Sequence, residues 1–345
     1  MTDENKVGIY CITYNHSAHI RKCLDGFVKQ KTNFKFEAIV FDDYSTDGTR
    51  EIIKEYAQKY PDIIKPIFPD GNVFTSIGIY KIFRTIIDRL NCKYIAFCEG
   101  DDYWIDENKL QTQVDFLENN PDFTGCFHKS LRKNVVTGED ICCKPTVEDI
   151  KNKDIFTIED TICGYFIETC SVMYRFNCYK ELLIETFPIE IINGDSYLIY
   201  FFSLMGKIKY IDKLMSVKTI NETGIWNSTN QTIDEKQVRF WLEIINFPIE
   251  VRKLLDKFNR SLSYETPQEA MRQVLKSAIN IKRYDIVEKA VQKFPEVFKT
   301  LITPIDKSAE VNYYKCKFKK YKKRNIALII ISILLALLSI VLFLT

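Results

Sequence analysis

Residues 94–104 read Tyr-Ile-Ala-Phe-Cys-Glu-Gly-Asp-Asp-Tyr-Trp, an uncharged run that leads into three closely spaced acidic residues. Two earlier apolar runs, residues 7–13 and 36–41, also end in polar residues. Nearly continuous apolar runs of this length are typical of strands covered on both faces of a parallel sheet. A helical pattern follows each run, and this alternation predicts an α/β protein with an open sheet. The ligand site of such a sheet lies outside the carboxyl ends of its strands.

Polar clusters follow all three runs, where that ligand site is expected. They are Thr13-Tyr14-Asn15, the segment 42–49 and the segment 99–104. The second cluster alone is explained equally well by a turn and a helix cap, because Ser, Asp and Gly are common in both. Three clusters at equivalent strand ends favour a shared ligand crevice.

The adjacent residues Asp101 and Asp102 indicate a cation site. Two unpaired carboxylates next to a buried strand would repel each other and lose hydration, and a divalent cation relieves both effects. Oxygen ligands favour Mg²⁺ or Mn²⁺ over zinc, and such ions often bind substrate phosphates. Asp43 can accept hydrogen bonds from a base or a ribose. Together these features favour a nucleoside diphosphate as ligand. The sequence contains neither a P-loop nor a Gly-x-Gly-x-x-Gly motif, so P-loop and classical dinucleotide sites are disfavoured.

Together, the three clusters resemble the motifs of family 2 glycosyltransferases, which have the GT-A fold. The resemblance covers roughly residues 6–228 and implies an open mixed sheet. It implies that six residues bind the nucleotide: Thr13, Tyr14, Asn15, Asp42, Asp43 and Asp101. It also places Asp101 and Asp102 in the family's Asp-x-Asp region, which binds the metal and the diphosphate. Glu99 stands where the family has the first acid of this region.

The resemblance extends to residues 167–173 and 194–196, and it implies that Asp195 is the general base. The alternative is that Asp195 caps a helix predicted over residues 197–205. Three residues are candidates for lining the acceptor side: Trp104, Glu168 and Trp226. Asn221 stands about where many members have a histidine, sometimes a ligand of metal or phosphate.

The resemblance implies an inverting glycosyltransferase. The sugar would pass from a nucleoside diphosphate, which we expect to be UDP, to a hydroxyl of a glycan or a lipid-linked acceptor, as in polysaccharide biosynthesis. The alternative is a non-catalytic, membrane-tethered protein of the same fold that binds nucleotide sugars or acts as a scaffold. A nucleotidyltransferase is disfavoured, because residues 14–20 contain no glycine for a phosphate-binding loop.

Charge is divided unevenly along the chain. Seven of the 48 basic residues lie in residues 315–324, which leaves 41 basic against 46 acidic residues elsewhere. The acidic body argues against a general surface for nucleic acid. Residues 326–344 are uncharged and almost entirely apolar, and as a helix they are long enough to span a bilayer once. The basic residues before this span predict a single-pass protein whose N-terminal domain lies in the cytosol, at the cytoplasmic face of a membrane.

These patterns predict four regions. They are a glycosyltransferase domain (1–230), a helical accessory region (231–310), a basic juxtamembrane segment (311–325) and a transmembrane helix (326–345). The 46% hydrophobic content is sufficient for a large core. The 11 cysteines are scattered and lack a Cys-x-x-Cys pair, which indicates free thiols in a reducing compartment. With three histidines, a zinc site of the Cys/His type is not expected.

Overall fold

The computed structural model describes residues 5–161, 166–189, 194–220 and 284–302, with a few short pieces between residues 242 and 275. The chain divides into two compact units, Met1–Tyr264 and Glu265–Thr345. The predicted domain limits at residues 230 and 310 stay predictions.

The first half of the larger unit is a parallel sheet with helices between its strands. Its strands are β1 (Val7–Thr13), β2 (Phe36–Asp42), β3 (Ile64–Ile67) and β4 (Tyr94–Phe97), in the spatial order β3-β2-β1-β4. The intervening helices are α1 (Ile20–Val28), α2 (Thr49–Lys59), α3 (Val73–Ser76) and α4 (Ile79–Arg89). The buried side chains of α1 recur at helical spacing and form one apolar face: Ile20, Cys23, Leu24 and Phe27.

The sequence predicts one long helix over residues 73–90, but the structure has two. Helix α3 ends at Ser76, and α4 begins at Ile79. Gly78 between them has a φ of 100°, a left-handed conformation that an α-helix does not contain and that glycine adopts without steric cost.

The second half of the larger unit makes the sheet mixed, as predicted. It contains β5 (Tyr103–Trp104), β6 (Phe123–Asn134), β7 (Asp140–Lys144), β8 (Ile155–Phe156), β9 (Met173–Arg175) and β10 (Lys207–Ile220). Its helices are α5 (Lys109–Asn119), α6 (Val147–Ile150), α7 (Ile158–Thr161), α8 (Lys180–Thr186) and α9 (Gly194–Met205). Beyond β4 the spatial order continues β9-β6-β10-β5, with β7 beside β6 and β8 beside β10. Strand β9 runs antiparallel to β4 and β6, whereas β6 and β10 are parallel.

Two expectations for this half differ from the structure. The sequence predicts a strand over residues 162–174, but within the described part of this range only β9 is a strand, and a 3₁₀ turn at Thr169–Ser171 precedes it. The β6–β7 hairpin was not anticipated from the sequence.

Two apolar clusters cover the two faces of the sheet. One contains Phe27 of α1, Ile53 of α2 and Leu110 of α5. The other contains Ile86 of α4, Phe202 of α9 and, from farther along the chain, Leu254. The sheet is therefore buried on both faces, and the polar clusters lie at the carboxyl ends of its strands.

In the smaller unit the structure describes two helices, α10 (Tyr284–Lys293) and α11 (Pro295–Ile302). Pro295 occupies the first position of α11, where its missing N–H costs no helical hydrogen bond. Among the described residues no helix is both long enough and apolar enough to cross a membrane. The predicted basic segment 311–325 and transmembrane helix 326–345 lie outside the described residues.

Candidate active site

The three predicted polar clusters lie together at the carboxyl ends of β1, β2 and β4. The Asp43 N–H donates to the carbonyl of Thr13 at 2.9 Å, which joins the second cluster to the first. The Gly100 N–H donates to the carbonyl of Ile12 at 2.8 Å, which joins the third cluster to the end of β1. The sheet register thus assembles residues from three distant parts of the sequence.

The first two clusters also exchange side-chain hydrogen bonds. Asn15 has a φ of 54°, and its N–H donates to Ser45 Oγ at 2.8 Å. In return the Thr46 N–H donates to Asn15 Oδ1 at 2.9 Å. The Tyr14 ring lies next to these two hydrogen bonds. It is 48% exposed, so a ligand can reach it. Asn15 therefore holds the two loops in position, and Tyr14 can contact a base or a ribose.

Asp42 holds the second polar cluster, the segment 42–49, in place through buried contacts. Its side chain is fully buried, and Oδ2 accepts from Arg50 Nε at 2.8 Å and from the Ser45 N–H at 3.1 Å. Arg50 in turn donates to the Pro69 carbonyl and lies 5.1 Å from the centre of the Tyr44 ring. Asp42 thus ties α2 to the end of β2, and the nucleotide contact that the resemblance implies for it stays a prediction.

The Asp43 carboxylate lies against the N-terminus of α3. Its Oδ1 accepts from the Val73 N–H at 2.6 Å and its Oδ2 from the Phe74 N–H at 3.1 Å. The side chain is therefore fixed in one orientation, and it faces the N–H groups of the first turn of α3. A carboxylate has about four acceptor positions, so these two bonds leave capacity for a ligand donor.

The third cluster gathers three carboxylates. Ligand oxygens of Glu99, Asp101 and Asp102 all lie within 4.8 Å of one another. The Thr219 N–H donates to Asp102 Oδ1 at 2.9 Å, and Thr219 Oγ1 donates to the carbonyl of Asp101 at 2.9 Å. Thr219 at the end of β10 thus orients both aspartates.

Burial raises the pKa of Asp102 well above its ordinary value, and the negative charges of Asp101 and Glu99 raise it further. The Lys218 ammonium opposes this rise, because it lies 3.0 Å from Asp102 Oδ2 and 2.8 Å from Glu99 Oε2. Buried Asp101 Oδ1 and Asp102 Oδ2 nevertheless accept no well-directed hydrogen bond from any described residue. Adjacent hard oxygen atoms with unused lone pairs fit Mg²⁺ or Mn²⁺.

Asp195 lies in the first turn of α9, beside the same edge of the sheet. Its Oδ2 accepts from Thr169 Oγ1 at 3.3 Å, and its Oδ1 accepts from the Ser196 N–H at 2.8 Å. It also lines a small cavity together with largely apolar residues: Phe97, Thr169, Val172, Tyr174, Leu198 and Ile199. Because α9 already includes Gly194, Asp195 lies within its first turn and not at the N-cap, and the bond from the adjacent Ser196 N–H is not a capping bond to the second or third helical N–H. The role of Asp195 as general base stays a prediction.

The predicted acceptor-side residues lie in different environments. Trp104 is only 4% exposed, its Nε1 donates to the Cys170 carbonyl at 2.9 Å, and its ring packs 4.9 Å from that of Phe27. The Trp104 side chain therefore belongs to the core, and its acceptor-side role stays a prediction. Glu168 is also buried and pairs with Arg132 Nε at 2.5 Å. Trp226 and Asn221 lie outside the described residues.

Sequence reasoning missed Lys218, Thr219 and Arg132, and it named Thr169 only as part of the segment 167–173. Each contacts an acidic residue that it did single out, but from a remote position along the chain. Lys218 and Glu99, for example, are 119 positions apart. Only the pairing of β10 with β6 and β5 could have located the contacts of Lys218 and Thr219.

Comparison with known proteins identifies the family. The profile described as Glycosyl transferase family 2 matches residues 9–182. This is half of the chain, which therefore belongs to glycosyl transferase family 2. The resemblance seen in the sequence is confirmed.

Two curated relatives cover the same region. An uncharacterized protein of Mycobacterium tuberculosis is 34% identical over 222 residues, which are 64% of this chain and 61% of the relative. The dTDP-rhamnosyl transferase RfbG of Shigella flexneri is 33% identical over 184 residues, which are 53% of this chain and 57% of that protein. The chain thus matches less than two thirds of the length of either relative.

Solved structures share the fold. Residues 1–349 of S. aureus TarS, in complex with UDP-GlcNAc, align with a TM-score of 0.57 and 19% identity. The alignment covers 86% of this chain and 84% of the TarS chain. At this identity the likeness concerns the fold, and the mixed α/β sheet of GT-A type is confirmed.

Proposed function

We propose that this protein is an inverting glycosyltransferase that moves a sugar from a nucleoside diphosphate to a hydroxyl of a glycan or a lipid-linked acceptor. One observation carries the proposal. Two buried oxygens at the ends of β1 and β4, Thr13 Oγ1 and Asp101 Oδ1, have no hydrogen-bond partner among the described residues, and Asp102 Oδ2 beside them has only the Lys218 ammonium at 3.0 Å. Buried polar atoms are nearly always satisfied in native proteins, so this crevice is suited to a polar ligand.

The donor half of the site is formed by the first two clusters. Thr13 offers a free hydroxyl, Tyr14 an exposed ring, and Asp43 a fixed carboxylate that can accept from a base or a ribose. The named donor of RfbG is a dTDP-sugar, and the TarS structure holds UDP-GlcNAc. Both are pyrimidine nucleoside diphosphates, which supports UDP as the first nucleotide to test.

The diphosphate half is formed by the acidic cluster. Asp101 and Asp102 would hold Mg²⁺ or Mn²⁺, which when bound neutralises charge that develops on the leaving diphosphate. Thr219 fixes Asp102 for this purpose through its N–H, and it fixes the Asp101 backbone through its hydroxyl.

Asp195 would be the general base. As the acceptor oxygen bonds to the anomeric carbon and the bond to the diphosphate breaks, Asp195 takes the hydroxyl proton. Attack from the face opposite the leaving group inverts the anomeric configuration. The hydrogen bond from Thr169 and the helix start keep the Asp195 carboxylate in one orientation.

The decisive experiment is a transfer and hydrolysis assay of UDP-sugars with Mn²⁺ on the full chain. We expect turnover by the wild type, none by Asp195→Asn, and full turnover by the control Asp88→Asn, whose carboxylate is exposed and pairs with Arg84 on α4. UDP binding by Asp195→Asn should be unchanged. If Asp195→Asn retains full activity, the assignment of the base is wrong. If UDP binds but no donor is turned over by the wild type, the non-catalytic alternative is supported.

The location of the reaction is a separate proposal. The apolar segment 326–345 and the basic residues before it support attachment to a membrane, with the catalytic domain on its cytoplasmic face. Deletion of residues 326–345 should move the protein from the membrane fraction to the soluble fraction. Recovery of the deleted form in the membrane fraction would contradict the anchor.

A further inference from the structure

The Lys218 ammonium lies in the acidic cluster formed by Glu99, Asp101 and Asp102. Lys218 lies on β10, its side chain is 19% exposed, and its ammonium pairs with Glu99 Oε2 at 2.8 Å and Asp102 Oδ2 at 3.0 Å. Two of the three carboxylates that would bind a cation are thus already paired with a cation of the chain itself.

The position of Lys218 is fixed by its strand. The next residue, Thr219, bonds to Asp102 Oδ1 and to the Asp101 carbonyl, so the β10 backbone cannot move away from the acidic loop without breaking both bonds. The pairing of β10 with β6 supports the same register. The Lys218 side chain can move independently, since it is a flexible four-carbon stem with a point charge.

A divalent cation and the Lys218 ammonium cannot occupy the same place. Both would need Asp102 Oδ2, and two positive charges a few ångströms apart repel each other. The acidic cluster with Lys218 in place carries a net charge of about −2 rather than −3 when all groups are ionised. A cation that arrives alone must therefore displace the ammonium from its pairs with Glu99 and Asp102.

We propose that Lys218 is a built-in competitor of the divalent cation, so that the metal binds tightly only together with a nucleoside diphosphate. The diphosphate supplies new anionic oxygens for the displaced ammonium, and Lys218 then becomes a phosphate ligand. This inference rests on the proposed function. It explains how an acidic cluster can avoid binding free metal before the donor arrives.

The test is a calorimetric titration of Mn²⁺ into the full chain, with and without UDP. The variants are Lys218→Met, Lys218→Gln and the control Lys213→Met. Lys213 lies on the same strand but pairs with Asp106, away from the cluster, at 2.6 Å. Circular dichroism and thermal melting confirm that each variant is folded, and two different substitutions at residue 218 guard against failure of one to fold.

We expect the wild type and Lys213→Met to bind Mn²⁺ weakly alone and at least about tenfold more tightly with UDP, which is about 1.4 kcal/mol. Lys218→Met and Lys218→Gln should bind Mn²⁺ alone about tenfold more tightly than the wild type and gain less from UDP. Unchanged or weaker Mn²⁺ binding by both folded variants, with UDP binding intact, overturns the role of Lys218 and leaves the proposed function standing. Tighter Mn²⁺ binding by these variants without any UDP binding supports the competition and overturns the proposed function.

Discussion

Gly100 lies so close to Thr13 that a Cβ atom on Gly100 would be 2.5 Å from both Cβ and Oγ1 of Thr13. Atoms at such a distance overlap, so only glycine allows the acidic loop to lie against the end of β1. This contact places Asp101 beside the nucleotide cluster, and it gives the first prediction.

Gly100→Ala should separate the acidic loop from Thr13. Because overpacking of a tight contact costs about 1–3 kcal/mol, we expect a lower melting temperature and a loss of UDP affinity of about tenfold or more. The control is Gly71→Ala, since an added Cβ there meets no atom within 4 Å. Equal UDP affinities of the two variants would show that the close approach is not needed for binding.

Asp42→Asn should act on stability. The change leaves Arg50 facing a neutral group beside a fully buried site, and breaking such a pair costs about 3 kcal/mol. Denaturant unfolding should show this loss. Glu55→Gln, which breaks the exposed pair with Arg21, should leave the unfolding midpoint almost unchanged. A loss of UDP binding by Asp42→Asn without loss of stability would instead support a direct contact with the nucleotide.

Lys109 should make stability depend on pH. Its side chain is fully buried, its Nζ donates to Gln113 Oε1 at 2.7 Å, and burial lowers its pKa to about 8. The neighbouring Cys98, Cys126 and Cys170 have pKa values raised by their own burial, so they stay neutral at pH 7–9.

The unfolded chain binds a proton at Lys109 up to its ordinary pKa of 10.5, and the folded chain only up to about 8. The penalty is complete below pH 8 and disappears as the pH rises toward 10.5, so stability increases with pH in that window. Between pH 7 and 9 the gain is about 1 kcal/mol. Unfolding at both pH values should show it in the wild type and in the exposed control Lys81→Met, but not in Lys109→Met. An identical pH response of Lys109→Met would contradict this role.

Removal of divalent cations should abolish transfer. We expect EDTA to stop turnover and Mn²⁺ or Mg²⁺ to restore it, because the diphosphate leaving group needs charge neutralisation. Asp102→Asn should not be restored by millimolar Mn²⁺, while Asp115→Asn, on the exposed face of α5, should behave as the wild type. Full turnover in EDTA would show that transfer does not need a divalent cation.

The local pattern of the sequence predicted β1, β2 and β4 well, because strands buried on both faces are continuous apolar runs. It predicted β9 only as the end of a longer strand over residues 162–174, since three residues are too few for a periodic signal. The burial of Trp104 was missed for a related reason. Side chains alternate along a strand, and in the two-residue strand β5 it is Tyr103 that faces outward and Trp104 that faces the core.

The sequence allowed prediction only of those site residues that stand out within a single loop. Asp101, Asp102 and Asp43 stand out because acidic residues directly after a buried strand need a reason. Lys218 and Thr219 do not stand out, because a lysine and a threonine near the end of a strand are ordinary. Their importance arises from tertiary pairing of β10 with strands more than 80 residues earlier, which one sequence does not show.

The register of strand β10 determines which of its residues reach the acidic loop. Its pairing with β6 shifts register between Ile211 and Leu214 and again before Ser216, and only after these irregularities do Lys218 and Thr219 reach the acidic loop. Because side chains alternate, one residue inserted or deleted between positions 216 and 218 would exchange the faces of the two side chains. The ammonium and the hydroxyl would then change places relative to the carboxylates. The length of this short segment is therefore a condition for activity in its own right, whichever residues it contains.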